Sequence, residues 1–584
     1  MNVPQDRIGR SAMLVLLGAL VAGGIAGLGE RALAQKSPPE AATEEFNERV
    51  DVEVVNVDVV VTDKAKRRIL DLGRDDFELL VDGRPVAIEY FASPRLAGAT
   101  APAPPAAPAG AATSTSATAP APPAAPTNLI LYIDQTALES QDRKTALQEL
   151  REFLRGRPAG ADRVTVAAFD QRLQIVAPAT TDPAAIAAAF EQIESRPSFA
   201  ALGLGEERQL QREIRDLGTY GGDARTIEQA IVSWGEQQID RQRRSVAALA
   251  QLVDSSAAVE GRKVVVLATA GIEANPAQFL LDALDQKRGA LVSSDTNRGP
   301  ALELAGQTLL AEFEEMIQGA QNARVTFYSL SPVVRPPAEG GADVWGAGSS
   351  SARPLPHDYG AAEAAASTAR LTGATGGASF TIWTDLDRRL EEVTADSDAA
   401  YSLGFSTGLE AGENAHRIEV KTRRADLAVR HREGFRRHGA SDRVASALTA
   451  AATLGQTENP LEISLSLGAG RPDGQKKAGE IVPIAVGIPL RLIALVPQSG
   501  ERRGSVEVRV SIEDARGRLQ ESGVTIVPIV IPEGDLEQAL AATWYHRAEV
   551  RLSPGRQRVA VAVVDQVSGL QSTVVAEHEI PGNK

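Results

Sequence analysis

The chain has 584 residues, more than a single hydrophobic core serves, so two to four domains are expected. Its 76 acidic residues outnumber its 61 lysines and arginines, and a net charge of -15 argues against nucleic-acid binding through phosphate neutralisation. With no cysteine, thiol nucleophiles, thiolate metal sites and disulfide scaffolds are all excluded.

The N-terminus has the pattern of an export signal. Arg7 and Arg10 precede an apolar stretch from Ala12 to Leu28, and Ala32-Leu33-Ala34 supplies small residues at the cleavage positions before Gln35. The stretch is short for a span of about 20 residues, so residues 1–34 are read as a cleaved signal peptide and not as a membrane anchor. No later stretch is apolar for long enough to span a bilayer.

A small β module is predicted over 45–96. In "VEVVNVDVVVTD", Val55, Val57, Val59 and Val61 fall on one side of a strand with Asn56 and Asp58 opposite, and Asp82-Gly83 marks a hairpin. Residues 97–127 read as a Pro/Ala-rich linker, because a run of Gly, Ala, Thr, Ser and Pro cannot form a core. From 128 to 436 strands alternate with helices, which predicts a doubly wound α/β sheet. "NLILYID" is apolar throughout, as a strand covered on both faces should be. "DRVTVAAFD" and "RLQIVAP" form a hairpin, and Asp182-Pro183 reads as an N-cap and first helical residue. A long helix is expected over 226–256, a buried strand at "KVVVLATAG", more helix within 275–321, and a strand at "RVTFYSLSP". A loop over 333–358, a helix near 360–371, a short strand near 378–382 and a helix near 385–395 follow. "AYSLGFS", "HRIEVKTRR" and "DLAVRHREGF" read as strands, a candidate antiparallel extension of the sheet edge. Residues 437–460 connect to 461–584, whose regular strand–turn spacing predicts a β-sandwich of immunoglobulin or fibronectin type.

Three blocks together resemble the secreted von Willebrand factor A-related proteins of bacteria, a domain type best known in acidobacteria. They are "VDVVVTDKAKRRILDLGRDDFELLVDG", "LILYIDQTALES…RVTVAAFDQRLQIVAPATTDPAAI", and "GRKVVVLATAG" with the later "AYSLGFS…HRIEVKTRRADLAVRHREGF". The order and spacing of the blocks across 45–436 carry the resemblance, and the C-terminal module lies outside it. Lys66 stands where such proteins usually have a turn glycine. The resemblance implies a von Willebrand factor A-like sheet, protein–protein interaction as a class of function, and a place to look for a divalent ion. Domains of this type often bind Mg²⁺ through D-x-S-x-S, a distant threonine and an aspartate from a third loop, because oxygen donors suit a hard cation.

Here the first loop reads Asp134-Gln135-Thr136-Ala137-Leu138. Asp134 and Thr136 match the pattern, Leu138 cannot ligate, and Ser140 comes two residues late. Ala270 occupies the third-loop acidic position in Thr269-Ala270-Gly271, and Thr219 and Thr226 both remain candidates for the distant threonine. Asp134 and Thr136 are therefore the metal candidates of a degenerate site, compatible with no cofactor or with weak Mg²⁺ or Ca²⁺ binding.

No catalytic constellation is visible. His357, His416, His431, His438, His546 and His578 lack metal-ligand spacing, and neither a G-x-S-x-G elbow nor a phosphate-binding G-x-x-x-x-G-K loop occurs. His416, His431 and His438 are expected at solvated or edge positions. Ser349-Ser350-Ser351 reads as loop and Asp75-Asp76 as a solvated turn. In "LGEERQLQREIRDLG", Leu210, Ile214 and Leu217 make a stripe expected to pack on its own domain, with partner binding as the alternative. "RHREGFRRH" is expected as an exposed strand end.

The sequence thus predicts an exported, non-enzymatic protein–protein interaction protein, periplasmic, cell-surface or extracellular, with an unknown protein partner, no nucleic acid and no membrane span after signal cleavage. The alternatives are a metal-dependent adhesion module with altered ion ligands and an uncharacterised hydrolase.

Overall fold

The computed structural model describes residues 54–94, 127–157, 162–197, 200–217, 223–288, 299–332, 356–382, 392–393, 395–396, 399–406, 415–436, 439–474, 479–498 and 500–581. The predicted signal peptide, the linker but for its last residue, Thr219, His438, the triple serine and most of the helix expected at 385–395 lie outside these residues.

Strand β1 (Val54–Thr62) buries Val55, Val57, Val59 and Val61 on one face, as its alternation requires. Strands β2 (Phe77–Val81) and β3 (Arg84–Val86) are joined by Asp82 and Gly83 alone, with φ of 51° and 77°. Two consecutive positive φ values make the tight hairpin turn that Asp-Gly favours. Strand β4 (Tyr90–Ala92) ends the segment.

The central sheet begins with β5 (Thr127–Asp134), followed by α1 (Ser140–Arg155), β6 (Asp162–Phe169), β7 (Leu173–Thr180) and α2 (Pro183–Glu194). The Asp182 side chain accepts from Ala184 N at 2.9 Å, confirming the N-cap with proline behind it. Helices α3 (Ala200–Asp216) and α4 (Ala224–Ala257) precede β8 (Lys263–Ala268). Then come α5 (Gln278–Arg288), α6 (Gly299–Asn322), β9 (Val325–Ser331), α7 (Pro356–Thr375) and β10 (Ser379–Thr381). The strand order is β10-β9-β8-β5-β6-β7, parallel except for the β6–β7 hairpin. Ile130 and Tyr132 face a core shared with α3 to α7, while Leu129, Leu131 and Ile133 face α1 and α2, so helices cover both sides. Leu210 and Ile214 of α3 are buried in the first of these cores, so the stripe packs on its own domain.

The strands of 401–435 do not extend this sheet. β11 (Tyr401–Ser406), β12 (His416–Thr422), β13 (Ala428–Arg430) and β14 (Gly434–Phe435) pair instead with the N-terminal strands. The resulting orders are β13-β1-β11-β4 and β14-β12-β2-β3, and the two sheets enclose one core containing Val57, Leu79, Leu403, Phe405 and Ile418. The reason is apolar burial: two short segments far apart in the chain each offer one apolar face, and each face covers the other.

"RHREGFRRH" is also not an exposed strand end over its described part. Arg432 is buried and donates to Gln321 O (2.6 Å) and Asn56 O (2.8 Å). Arg430 donates at 2.6 Å to Asp396, a fully buried carboxylate. Asp396 also receives Arg68 Nε at 3.0 Å and Tyr328 Oη at 3.0 Å. One carboxylate therefore joins the N-terminal strands, the central sheet and β13.

Helix α8 (Ala440–Thr449) continues as a wider turn over Ala450–Leu454 and leads to the C-terminal strands. These are β15 (Ser464–Leu467), β16 (Arg471–Pro472), β17 (Glu480–Pro489), β18 (Val496–Gln498) and β19 (Glu501–Glu513). After them come β20 (Leu519–Glu521), β21 (Thr525–Pro532), β22 (Thr543–Leu552), β23 (Gly555–Asp565) and β24 (Gln571–Ile580). They form two antiparallel sheets around one apolar core, into which Val506, Val508 and Val510 point. Among the described residues no helix is long and apolar enough to cross a membrane.

Removing the Asp396 carboxylate leaves Arg68 and Arg430 without their anion, so Asp396→Ala is expected to cost about 3–5 kcal/mol in denaturant unfolding. Lys66 has φ 61° in the turn closed by Asp63, the left-handed conformation that glycine adopts without strain. Lys66→Gly is expected to raise stability by about 1 kcal/mol, read as a higher denaturation midpoint.

Candidate functional site

In the chain order of the central sheet, β6 and β7 lie to one side of β5, and the path then returns to β8 on the other side. The loops that leave β5 and β8 in opposite directions open a crevice at the carboxyl ends of these strands, the usual ligand position in an open α/β sheet. Asp134 ends β5 here, 4% exposed.

Its carboxylate is already engaged. Oδ1 accepts from Thr136 N (2.9 Å), Thr136 Oγ1 (2.7 Å) and Ala137 N (3.1 Å), so it organises the turn into α1. Oδ2 accepts from Ser245 Oγ of α4 at 2.9 Å. Burial pushes the Asp134 pKa up, against the opposing pull of these hydrogen bonds.

The other expected ligands are elsewhere. Leu138 is fully buried in the core beneath α1 and α2, and Ser140 is exposed on the first turn of α1. Thr226 Oγ1 donates to Asp223, the N-cap of α4. It lies 19 positions before Ser245, about 28 Å along the helix axis. Ala270 brings no oxygen from its side chain to the crevice. The described residues do not assemble the oxygen set of a six-coordinate ion. Among the described residues there is no group of three or more His, Asp or Glu arranged to hold a metal.

A cavity of about 450 Å³ opens beside Asp134 instead. Thr136 and Ala137 line it from the β5 loop, Ala270 and Glu273 from the β8 loop, and Leu204 and Glu207 from α3. One face of α4 supplies Trp234, Gln238, Arg241 and Gln242, whose spacing of three to four residues continues to Ser245. Gln242 grips the β8 loop in both directions, with Glu273 N donating to Oε1 (2.7 Å) and Nε2 donating to Glu273 O (2.9 Å). The same loop turns through Gly271, φ 100°, where a Cβ would stand 2.2 Å from Ala364 O of α7. Burial, with the charges of Glu363 and Glu207 adding to it, pushes the Glu273 pKa up to about 7.

The sequence reading singled out Asp134 and Thr136 and missed Trp234, Gln238, Arg241, Ser245 and Glu273. The only available signal was a polar stripe along a predicted helix, and nothing in the spacing shows which stripe turns inward. The histidine side chains whose contacts are described do not converge on the crevice. His416 pairs with Asp82 at 2.9 Å, and His578 lies 3.7 Å from Glu480. His431 is half-buried and not solvated, accepting from Val420 N at 3.1 Å while its Nδ1 lies 2.7 Å from Arg432 O. Asp76 accepts from Gly73 N at 2.7 Å in a local turn.

No family model matches the chain, and no curated protein does. Among solved structures, an aerotolerance-related membrane protein from Bacteroides fragilis with multiple mutations to serines aligns over 46% of this chain and 98% of its own. Its identity is 10% and its TM-score 0.22. Proximal thread matrix protein 1 from the mussel byssus, in a form with a zinc-occupied MIDAS motif, aligns over 47% of this chain at 9% identity and TM-score 0.21. The match spans about half of the mussel protein, 48%. Superpositions at this level establish neither a shared fold nor a shared activity.

The raised Glu273 pKa fixes the sign of a stability effect. Between the ordinary value of 4.5 and about 7, the folded chain keeps a proton that the unfolded chain has lost, so stability falls as pH rises. Glu273→Gln removes that loss, and the variant is expected to gain roughly 3 kcal/mol on wild type between pH 4.5 and pH 8. Paired denaturant curves isolate the effect, because Glu513, also pushed up to about 7 by burial, titrates in both proteins.

Proposed function

We propose that this chain is an exported, non-enzymatic interaction protein whose von Willebrand factor A-like domain presents its strand-end loops to a protein partner without a metal bridge. Signal cleavage after Ala34 would release it to the periplasm, the cell surface or the medium. The C-terminal pair of sheets, read as an immunoglobulin- or fibronectin-type sandwich, and the small N-terminal β unit serve as spacers or further contacts.

The observation that carries this reading is the commitment of Asp134. Its two carboxylate oxygens accept four hydrogen bonds from the chain, and Ser245 covers the one not used by the turn. A divalent ion binding there would have to displace those donors and find several further oxygens among groups that supply few. The switch-point cavity supports binding at the same end of the sheet, because it offers a concave and partly polar wall there. The three sequence blocks and the strand order support the domain type.

Calorimetric titration with Mg²⁺, Ca²⁺ and Mn²⁺ is expected to give no saturable heat attributable to Asp134. Saturable binding by wild type that disappears in Asp134→Ala would overturn the metal-free reading in favour of an adhesion module with altered ligands. Covalent labelling of the purified chain by activity-based hydrolase probes would overturn its non-enzymatic part.

A further inference from the structure

Two edge strands of the C-terminal sheets treat their open sides differently. In an antiparallel sheet the N–H and C=O of one residue point to the same neighbour, and successive residues point to opposite sides. Gln566 N donates to Ser505 O at 3.0 Å, so Ser505 and the other odd-numbered residues of β19 face β23. Gly504 and Val506 face β21, where they meet Ile529 and Val527. The even-numbered residues of β21 therefore point their main chain away from the sheet, and two of them, Pro528 and Pro532, carry no N–H. Proline at outward positions closes an edge strand to further pairing.

β22 has no such block. It pairs with β17 along its whole length and with no other strand among the described residues. Gly468 N donates to Pro483 O at 2.8 Å, so the odd-numbered residues of β17 face β15. Val482, Ile484 and Val486 face β22 and meet Val550, Ala548 and His546. Thr543, Tyr545, Arg547, Glu549 and Arg551 therefore aim N–H and C=O at the open edge, and none of them is proline. Their side chains are exposed on the outer face of the sheet.

This edge is complementary to itself. Outward-facing residues pair only with outward-facing residues, and an axis of twofold symmetry at Ala548 sets Arg547 of each copy against Glu549 of the other and Tyr545 against Arg551. The first is an opposite-charge pair and the second a guanidinium beside an aromatic ring. The neighbouring allowed axes, at Arg547 or at Glu549, would set Arg547 or Glu549 against its own copy, so charge selects one register. Arg547 and Arg551 make no ion pair within the chain among the described residues, and Glu549 meets only Arg471, at 2.9 Å, in an exposed pair that water weakens. On the inner face the same axis sets Trp544 against Leu552 and His546 against Val550, with Ala548, the smallest residue of the strand, at the axis itself.

We infer that β22 pairs along this edge with β22 of a second copy of the chain, antiparallel about an axis at Ala548, so that the sheet of β15, β17 and β22 continues from one copy into the other. Tyr545–Arg551 and Arg547–Glu549, each occurring twice, are the hydrogen-bonded pairs. The inference goes beyond the reading of the strand-end loops as a partner surface. Pairing joins two α/β domains in one assembly, which holds a repeated partner surface with the avidity of two linked sites.

Sedimentation velocity on the full chain after signal cleavage, from about 1 to about 100 µM, reads the pairing directly. Wild type is expected to pass from monomer to dimer over this range. Arg547→Glu and Glu549→Arg each set like charges opposite each other at both pairs, and each variant alone is expected to dimerise at least about tenfold more weakly. An equimolar mixture of the two variants restores an opposite-charge pair at both positions and is expected to dimerise as wild type does. Thermal melts that match wild type verify the fold of each variant before mixing. Wild type that stays monomeric, single variants that dimerise as wild type does, or a mixture of folded variants that stays monomeric overturns the inference.

Discussion

The buried carboxylate of Asp396 holds together parts of the chain that are distant in sequence. An anion with no solvent access is stable only if its charge and lone pairs are met locally. Arg68, Arg430 and Tyr328 meet them from the N-terminal strands, from β13 and from the central sheet. Arg432 adds a second tie, reaching Asn56 on β1 and Gln321 on α6 from one guanidinium. The small β unit is thus docked on the α/β sheet through polar groups whose geometry is specific, while its own core is apolar. Such contacts fix orientation more than they add net stability, because desolvation offsets much of the attraction.

The same principle operates at the other end of the sheet with a different outcome. Asp134 is also buried, but hydroxyl and amide donors meet it without a cation. Four neutral donors only partly offset its burial, and its pKa rises in consequence. The aspartate that resembles a metal ligand in sequence therefore works as a structural acceptor, shaping the β5–α1 turn and anchoring α4 through Ser245. With α4 anchored, Trp234, Gln238 and Arg241 are brought over the crevice on the same helical face.

Local chemistry was legible in the sequence wherever one residue decides a backbone conformation or one period decides a face. Asp82-Gly83 specified its turn because both positions need positive φ. Asp182-Pro183 specified a helix start through a side-chain acceptor and a preset φ. The valines of β1 and the continuous apolar run of β5 specified half-buried and fully buried strands. Lys66 shows the limit of such rules, since it adopts the left-handed conformation in place of glycine. The strands of 401–435 were legible as strands but not as partners of β1 and β2, because alternation states which face is apolar and not which distant face covers it.

By itself the sequence determined the identity of the elements, the alternation that builds a mostly parallel sheet, and the shortage of ligating side chains at Leu138 and Ala270. These follow from side-chain chemistry and from periods of two and 3.6 residues, which act over a few neighbours. Only the tertiary structure decided that Arg430 and Arg432 turn inward, that Ser245 satisfies Asp134, and that Trp234, Gln238 and Glu273 meet in one cavity. The last two depend on how a 34-residue helix packs on the sheet, which sets Ser245 against Asp134 and Trp234 at the crevice. That placement comes from the summed burial of its apolar face against many elements, and no short stretch of sequence encodes the sum.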